Sequence, residues 1–466
     1  GHYTRAMPKL SRLFPDARDA KFGMFIDYGL FSVAGYARPK ASGAEEMYPD
    51  WYLYEMYDTY KDYHKKTWGD DFGRDDFIPL FTAENYNPEE LINLAVEAGM
   101  KYVVPFSKHH DGFCLWPSSY TERDAMDMGP RRDLIQPLVD GCRKHNLKFG
   151  FYFSLEEWEY PVIRAGEKMT RVWKGHGWLP GEAVKVVPFD EEDMKGKIAG
   201  KKPVEDFKNE YIIPQANEFI DLYDPDLLWF DGEWLTPVNE LGSLEITSYF
   251  FNNAQGRKEV AVNDRLGHSL RFKHGDFFTS EFHSLKESQP KIVHKWEECR
   301  GISRSFGFNF DDTEENIIST QEFIDMFVRI VSENGNLLLI VNLDGKGALP
   351  DYIKTRLEDI GKWLKVNGEA IYGTRPWLVS HEGENLRFTQ SKDNRFVYVI
   401  CNNLSTEELQ INSVHLDSNS KVSLMGTDQE LKWRQDYELR KLVIDIPESL
   451  RKNMPSDFAY TLKIQF

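Results

Sequence analysis

Nine consecutive residues, Asp226-Leu227-Leu228-Trp229-Phe230-Asp231-Gly232-Glu233-Trp234, restrict the fold more than any other stretch of this chain. The apolar run is too short for a helix and stops abruptly in Asp, Gly, Glu and an indole. That pattern suits a buried strand that delivers a carboxylate at its C-terminal end, where parallel (β/α)₈ barrels assemble their sites. Asp231 is therefore the first candidate for chemistry. The plainer reading is an Asp that merely opens a strand-to-loop turn.

The pattern recurs along the chain. An apolar run from Lys21 ends at Asp27-Tyr28-Gly29, a second from Tyr102 runs into Lys108-His109-His110-Asp111, and a third from Lys148 leads to Glu156-Glu157-Trp158. Between the first two, Asn87-Pro88-Glu89-Glu90 reads as a helix start, with Asn as cap and acids at the positive end of the dipole. Helices are expected at about 133–146 and 204–223. Strand, helix, strand, helix is the signature of a parallel sheet. Further strands are expected at 259–263, before Asp264-Arg265, at 275–279, before Ser280-Glu281, and at 336–341, with helices at 321–332 and 351–366. Beyond Tyr372 the helical period gives way to short alternating runs at 395–401, 441–446 and 460–466, the pattern of an antiparallel β-sandwich. The expected class is α/β: a (β/α)₈-like catalytic domain over 1–366, followed by a C-terminal antiparallel β-sandwich over 367–466. A chain of 466 residues is long enough for both. The Gly- and Lys-rich stretch 160–203 interrupts the alternation. It reads as solvated surface, with a plus-side subsite for an extended or anionic substrate as the alternative.

A formal net charge of −18 argues against nucleic acid or an anionic membrane as partner. Four cysteines without CxxC spacing indicate neither a disulfide framework nor a structural zinc site. The start at Gly1 suits a trimmed form, which makes the periplasm or the exterior the expected location. Oligomeric state stays open.

The strand ends together present Asp27, His109, His110, Tyr152, Glu156, Asp231, Arg265 and Glu281. Carboxylates with imidazoles and aromatic faces, but no nucleotide loop, point to glycoside chemistry without a cofactor. Retaining hydrolysis needs an ionised nucleophile and a protonated acid about 5–5.5 Å apart. Asp231 and Glu281 are the candidate pair, Arg265 keeping the first ionised and burial or repulsion keeping the second protonated. Adjacent His109 and His110 would point to opposite sides of an extended segment, so a shared metal is disfavoured against hydrogen bonding to sugar hydroxyls.

With these motifs the chain resembles the α-L-fucosidases of glycoside hydrolase family 29, from Phe22 to about the C-terminus. The resemblance rests on Lys108-His109-His110-Asp111-Gly112-Phe113-Cys114-Leu115-Trp116-Pro117-Ser118, Trp229-Phe230-Asp231-Gly232, Asn334-Gly335-Asn336-Leu337-Leu338-Leu339 and the run Gly361 to Tyr372. It implies a (β/α)₈-like barrel with a β-sandwich, no metal and retention of configuration. It implies Asp231 as nucleophile, His109, His110, Trp229 and Arg265 as sugar-site residues, and an aromatic contact at Tyr152. Glu281 in Thr279-Ser280-Glu281-Phe282 looks like the acid/base context of some members, with Glu297 or Glu298 beside Trp296 as fallback.

Three departures bear on substrate. Asp27-Tyr28-Gly29 stands where the family has His-Trp-Gly, Asp50-Trp51-Tyr52 where it has Glu-Trp-Tyr, and Phe306-Gly307-Phe308 where it has Trp-Gly-Tyr. Asp50, Trp51 and Phe306 are accordingly candidate substrate contacts with Asp27. An ionised Asp only accepts hydrogen bonds and reaches less far than imidazole, so it suits an additional hydroxyl. L-Galactose is L-fucose with a hydroxyl added at C6. Both α-L-fucosylated and α-L-galactosylated glycans are therefore held as partners, sulfated algal galactan fragments fitting the second. Two rival classes remain: a non-catalytic glycan-binding protein on the same scaffold, and a metal-dependent hydrolase using His109, His110 and Asp111.

Overall fold

A computed structural model describes residues 15–40, 46–174, 182–282 and 294–466. Eight short strands form one parallel sheet: Phe22–Asp27, Tyr102–Lys108, Lys148–Ser154, Leu227–Asp231, Ala261–Val262, Phe278–Glu281, Trp296–Arg300 and Gly335–Asn342. Each pairs with its sequence neighbours, and the first pairs with the eighth. A parallel bridge from Asn263 to Phe277 joins the fifth to the sixth, so the sheet closes into a barrel. Period-two alternation sends Phe25 inward, where its ring meets Phe106, Tyr152, Trp229 and Phe306. Asp27, two residues on, therefore also faces the lumen, at the mouth.

The helices that cover the barrel begin as their sequences dictate. Asn87 caps Pro88–Glu97 by accepting from Glu90 N at 3.1 Å. Ser319 and Glu322 form a reciprocal capping box at the start of Thr320–Ser332. The link from fifth to sixth strand carries no helix, and this loop bears Arg265 at the mouth.

The fold departs from expectation in three places. The fifth strand has only two residues, because the Asn263 side chain takes over the backbone groups of Phe230, at 3.0 and 2.9 Å. The seventh strand, Trp296–Arg300, was not anticipated, since two Glu and an Arg break its apolar run. Most of 160–203 is not a loose basic surface. Glu159–Arg164, Glu167–Trp173 and Val184–Pro188 form an antiparallel sheet, residues 175–181 lying outside the described set. Two cations of the stretch are spent internally, Arg171 gripping Glu156 and Lys201 lying 2.8 Å from Glu157, while Lys168, Lys174, Lys185, Lys195 and Lys202 are exposed, as a solvated surface requires. Glu156, a strand-end candidate, is thereby a tether for this sheet rather than part of the cavity.

Helix Asp351–Asn367 leads to the C-terminal unit, a six-stranded and a three-stranded antiparallel sheet that enclose Phe388, Val399, Leu409, Leu442 and Leu462. Trp363 Nε1 donates to Ala459 O at 3.0 Å and fastens the two units together.

Candidate active site

Asp231 closes the fourth strand, and Gly232 then turns the chain with φ of 89°. A side chain there would bring its Cβ within 3.1 Å of Glu156, so the turn needs glycine on both counts. Asp231 Oδ2 accepts from Tyr152 OH at 2.8 Å, and Oδ1 accepts from Arg265 Nη1 at 3.0 Å. Burial alone would push this carboxyl up. The charges of Arg265 and Arg271, with the Tyr152 hydrogen bond, outweigh it and hold the group far below the usual carboxylate range.

Arg265 is itself fixed on every side. Its Nε donates to Thr279 Oγ1 at 3.0 Å, its plane lies 4.3 Å over the Trp229 ring, and its Nη2 bonds Glu281 Oε1. Asp264 sets this arrangement by accepting from the Thr279 hydroxyl at 2.7 Å and from Phe272 N at 2.9 Å. Glu281 ends the sixth strand and takes a second hydrogen bond, from Tyr48 OH at 3.2 Å.

The second strand stops at Lys108, and the turn that follows brings both imidazoles to one side, their centroids 3.9 Å apart. The expectation of opposite directions fails because the segment is no longer extended there. Ser154 donates its hydroxyl proton to Glu156 O, so its oxygen must accept from His110 Nδ1 at 2.6 Å. His110 Nε2 is then an acceptor, 3.4 Å from Tyr152 OH and 3.6 Å from Asp231 Oδ2. Burial pushes His110 well below its ordinary value and keeps it neutral.

Beside them lies an incompletely paired polar group. His109 Nε2 is 3.3 Å from Asp50 Oδ2, while His109 Nδ1, Asp50 Oδ1 and both Asp27 oxygens have no hydrogen-bond partner among the described residues. Asp27 is fully buried. Burial and then the Asp50 charge push its carboxyl well above the ordinary value. Four buried polar atoms without partners at one barrel mouth mark a place where polar ligand atoms belong.

A cavity of about 310 Å³ opens over these groups, with Asp50, Trp51, Tyr152, Asp231, Arg265, Glu281 and Phe306 in its wall. Tyr48, Trp234 and Arg271 line it too, and Glu233 holds Arg271 from behind. The sequence singled out none of these four. Glu233 and Trp234 were visible inside the leading motif, whereas Tyr48 and Arg271 carry no local signal and are brought in by loops.

Trp229 does not line the cavity. It is fully buried beneath Arg265, and its Nε1 donates to Glu297 Oε1 at 2.9 Å. Glu297 pairs in register with Asn336 near the start of its strand and also accepts from Tyr102 OH at 2.6 Å, at the floor of the barrel. Glu298 alternates to the other face of the same strand, on the side of Arg300. Both fallback carboxylates thus stand away from the mouth, and of the three acid/base candidates only Glu281 shares a cation with Asp231.

The alpha-L-fucosidase family model matches residues 2–369, and the model of its C-terminal domain matches 381–465. The chain belongs to the α-L-fucosidase family. Its relatives include the human tissue α-L-fucosidase, 32% identical over 467 residues, covering 99% of this chain and 91% of that one. The Thermotoga maritima α-fucosidase in complex with a mechanism-based inhibitor superposes with a TM-score of 0.76 at 32% identity, covering 96% of each chain. The same enzyme in complex with fucose gives 0.76 at 31% identity, covering 97% of each. The chain is thus a glycoside hydrolase of this family, which sets aside the non-catalytic glycan-binding reading.

Proposed function

We propose that this protein is an exo-acting, retaining α-L-glycosidase that removes a terminal α-L-fucosyl or α-L-galactosyl unit from an oligo- or polysaccharide. The observation that carries the reading is Arg265, which bonds Asp231 through Nη1 and Glu281 through Nη2. Two carboxylates held by one guanidinium are separated by little more than two hydrogen bonds and the fork between them. That sets the two carboxyls in the wall of one cavity, within reach of one sugar, as the nucleophile and the acid/base of a double displacement must be.

Asp231, ionised and held by Tyr152 and Arg265, attacks the anomeric carbon. The bond to the leaving oxygen breaks as Glu281 passes its proton to that oxygen. In the second half, Glu281 takes a proton from water, the water oxygen bonds the anomeric carbon, and Asp231 departs as carboxylate. His110 Nε2 accepts a ring hydroxyl, Asp50 and His109 meet others, and Trp51 and Phe306 supply the apolar wall.

Fucose is the leading substrate, supported by the fucose-bound relative. Asp27 supports the second reading. Its two unpartnered oxygens suit the C6 hydroxyl of L-galactose, which an apolar pocket would leave unsatisfied. Arg38 and Lys40 in the cavity wall then suit a sulfated galactan fragment on the leaving side.

A parallel rate assay on nitrophenyl α-L-fucoside and nitrophenyl α-L-galactoside, with Asp231→Asn as blank, tests this. Turnover of either by the wild type, with the first-released sugar in the α-anomer by NMR, is the expected result. A β-anomer released first would overturn retention. Failure on both glycosides would overturn the substrate class.

A further inference from the structure

The nucleophile has a second guanidinium that the mechanism above does not use. Arg271 Nη2 stands 3.9 Å from Asp231 Oδ1, too far for a hydrogen bond but close for a charge in a buried site. Its Nε bonds Glu233 Oε1. Glu233 is 2% exposed, and its other oxygen has no partner among the described residues. Arg271 is thus the single side chain that hydrogen-bonds this buried carboxyl among those described.

The backbone is built to hold the pair. The Gly232 turn carries Glu233 back over the strand end. The loop bearing Arg271 is pinned on both sides: Phe272 N donates to Asp264 Oδ2 at 2.9 Å, and His268 N donates to Thr236 O at 3.0 Å. The result is a row of alternating charge, Glu233, Arg271, Asp231, Arg265, Glu281, in which three carboxyls share two guanidiniums.

We propose that Arg271 is a positioning residue for the nucleophile, anchored by Glu233 so that a second fixed cation faces Asp231 Oδ1, the oxygen that Arg265 also bonds. When Asp231 is esterified by the sugar it loses its charge, and each arginine then retains one outer carboxyl. Neither guanidinium is left without a partner at the intermediate, so neither is driven to leave its place. The inference rests on the double-displacement reading above for the role of Asp231.

The test is the pH–rate profile of Arg271→Met, Arg271→Lys and Glu233→Gln in the full chain, on whichever nitrophenyl glycoside the wild type turns over. The groups facing Asp231 are Arg265, Arg271, His110 and Tyr152, with Glu233 and Glu281 behind the two arginines. Removing one cation makes Asp231 easier to protonate, so the acid limb of kcat/KM moves up in Arg271→Met, by about one unit. Its kcat falls about 10- to 100-fold, less than for a donor in direct contact with the reacting atoms, with KM little changed. Arg271→Lys restores most of the limb, and Glu233→Gln shifts it in the same direction by less. Should Arg271→Met fail to fold, the other two variants carry the same comparison. Folded variants whose acid limb matches the wild type would overturn the proposal and leave Arg271 a structural brace. A wild type that releases the β-anomer first would instead count against the double-displacement reading itself.

Discussion

Asp231 at the mouth of the barrel and Glu297 at its floor are both carboxyls inside the same closed sheet, 9% and 3% exposed. Trp229 and Arg265 link them. Asp231 meets two guanidiniums and is held far below the ordinary carboxylate range. Glu297 meets the neutral donors Tyr102 and Trp229, and burial pushes it up to about 7. The cation that acts on it most, Lys295, is itself pushed well down by burial. Burial is therefore not what separates a nucleophile from a structural acid here. The cations decide it: guanidiniums that stay charged at the C-terminal ends of the strands, and at the N-terminal end a lysine that burial pushes down.

The largest expected effect breaks the mouth side of this comparison. Asp231→Asn keeps the shape and removes the charge, and should cost at least about 10⁴-fold in kcat. Binding of the released sugar, followed by calorimetry, should persist. Retained turnover would mean that another group attacks. Glu281→Gln comes next, with a loss of about 10²–10⁴-fold on a poor leaving group. The loss should shrink on a nitrophenyl glycoside, whose oxygen needs little protonation. An equal loss on both would remove Glu281 from the acid role.

How much of this was legible depends on what each residue's position required. The first four strands were readable because each is buried, Lys148 at the start of the third apart, and stops at a polar group. Asp231 and Glu281 were readable because strand ends meet at one mouth, and Arg265 because it follows its strand by only three residues. Trp229 was misplaced although its period was visible: two residues before Asp231 on the same face, it must sit about 6–7 Å deeper. Glu297 was misplaced because its strand went unseen, and without the strand its position near the N-terminal end could not be known. Tyr48 and Arg271 depend on where long loops fold back, which local pattern does not encode.

The floor side is tested by stability rather than rate. In the unfolded chain Glu297 ionises at about 4.5, and in the barrel at about 7. Between these values the folded state binds the extra proton, so stability falls as pH rises through that window. The loss is about 3 kcal/mol once both states are ionised. Glu297→Gln imitates the neutral acid: its oxygen still accepts from Trp229, and its amide can donate to the Tyr102 oxygen. Denaturant titrations from pH 4 to 8 should show this slope in the wild type and lose it in the variant, with kcat within about threefold of wild type because no reacting atom is touched. A large loss of kcat would mean that the floor carboxyl does participate.

The smallest effect asks whether the two ends are coupled at all. Trp229→Phe keeps a flat ring beneath Arg265 and removes one hydrogen bond to Glu297, for a stability cost of about 1–3 kcal/mol. With one fewer donor the carboxyl is harder to ionise, so the pH window of the slope should extend upward. If the ends are independent, the acid limb of kcat/KM stays where the wild type has it, because Asp231 still faces Arg265. A limb that moves with the Trp229 substitution would show that Arg265 is held by the indole as much as by Thr279. The mouth would then owe part of its geometry to the floor.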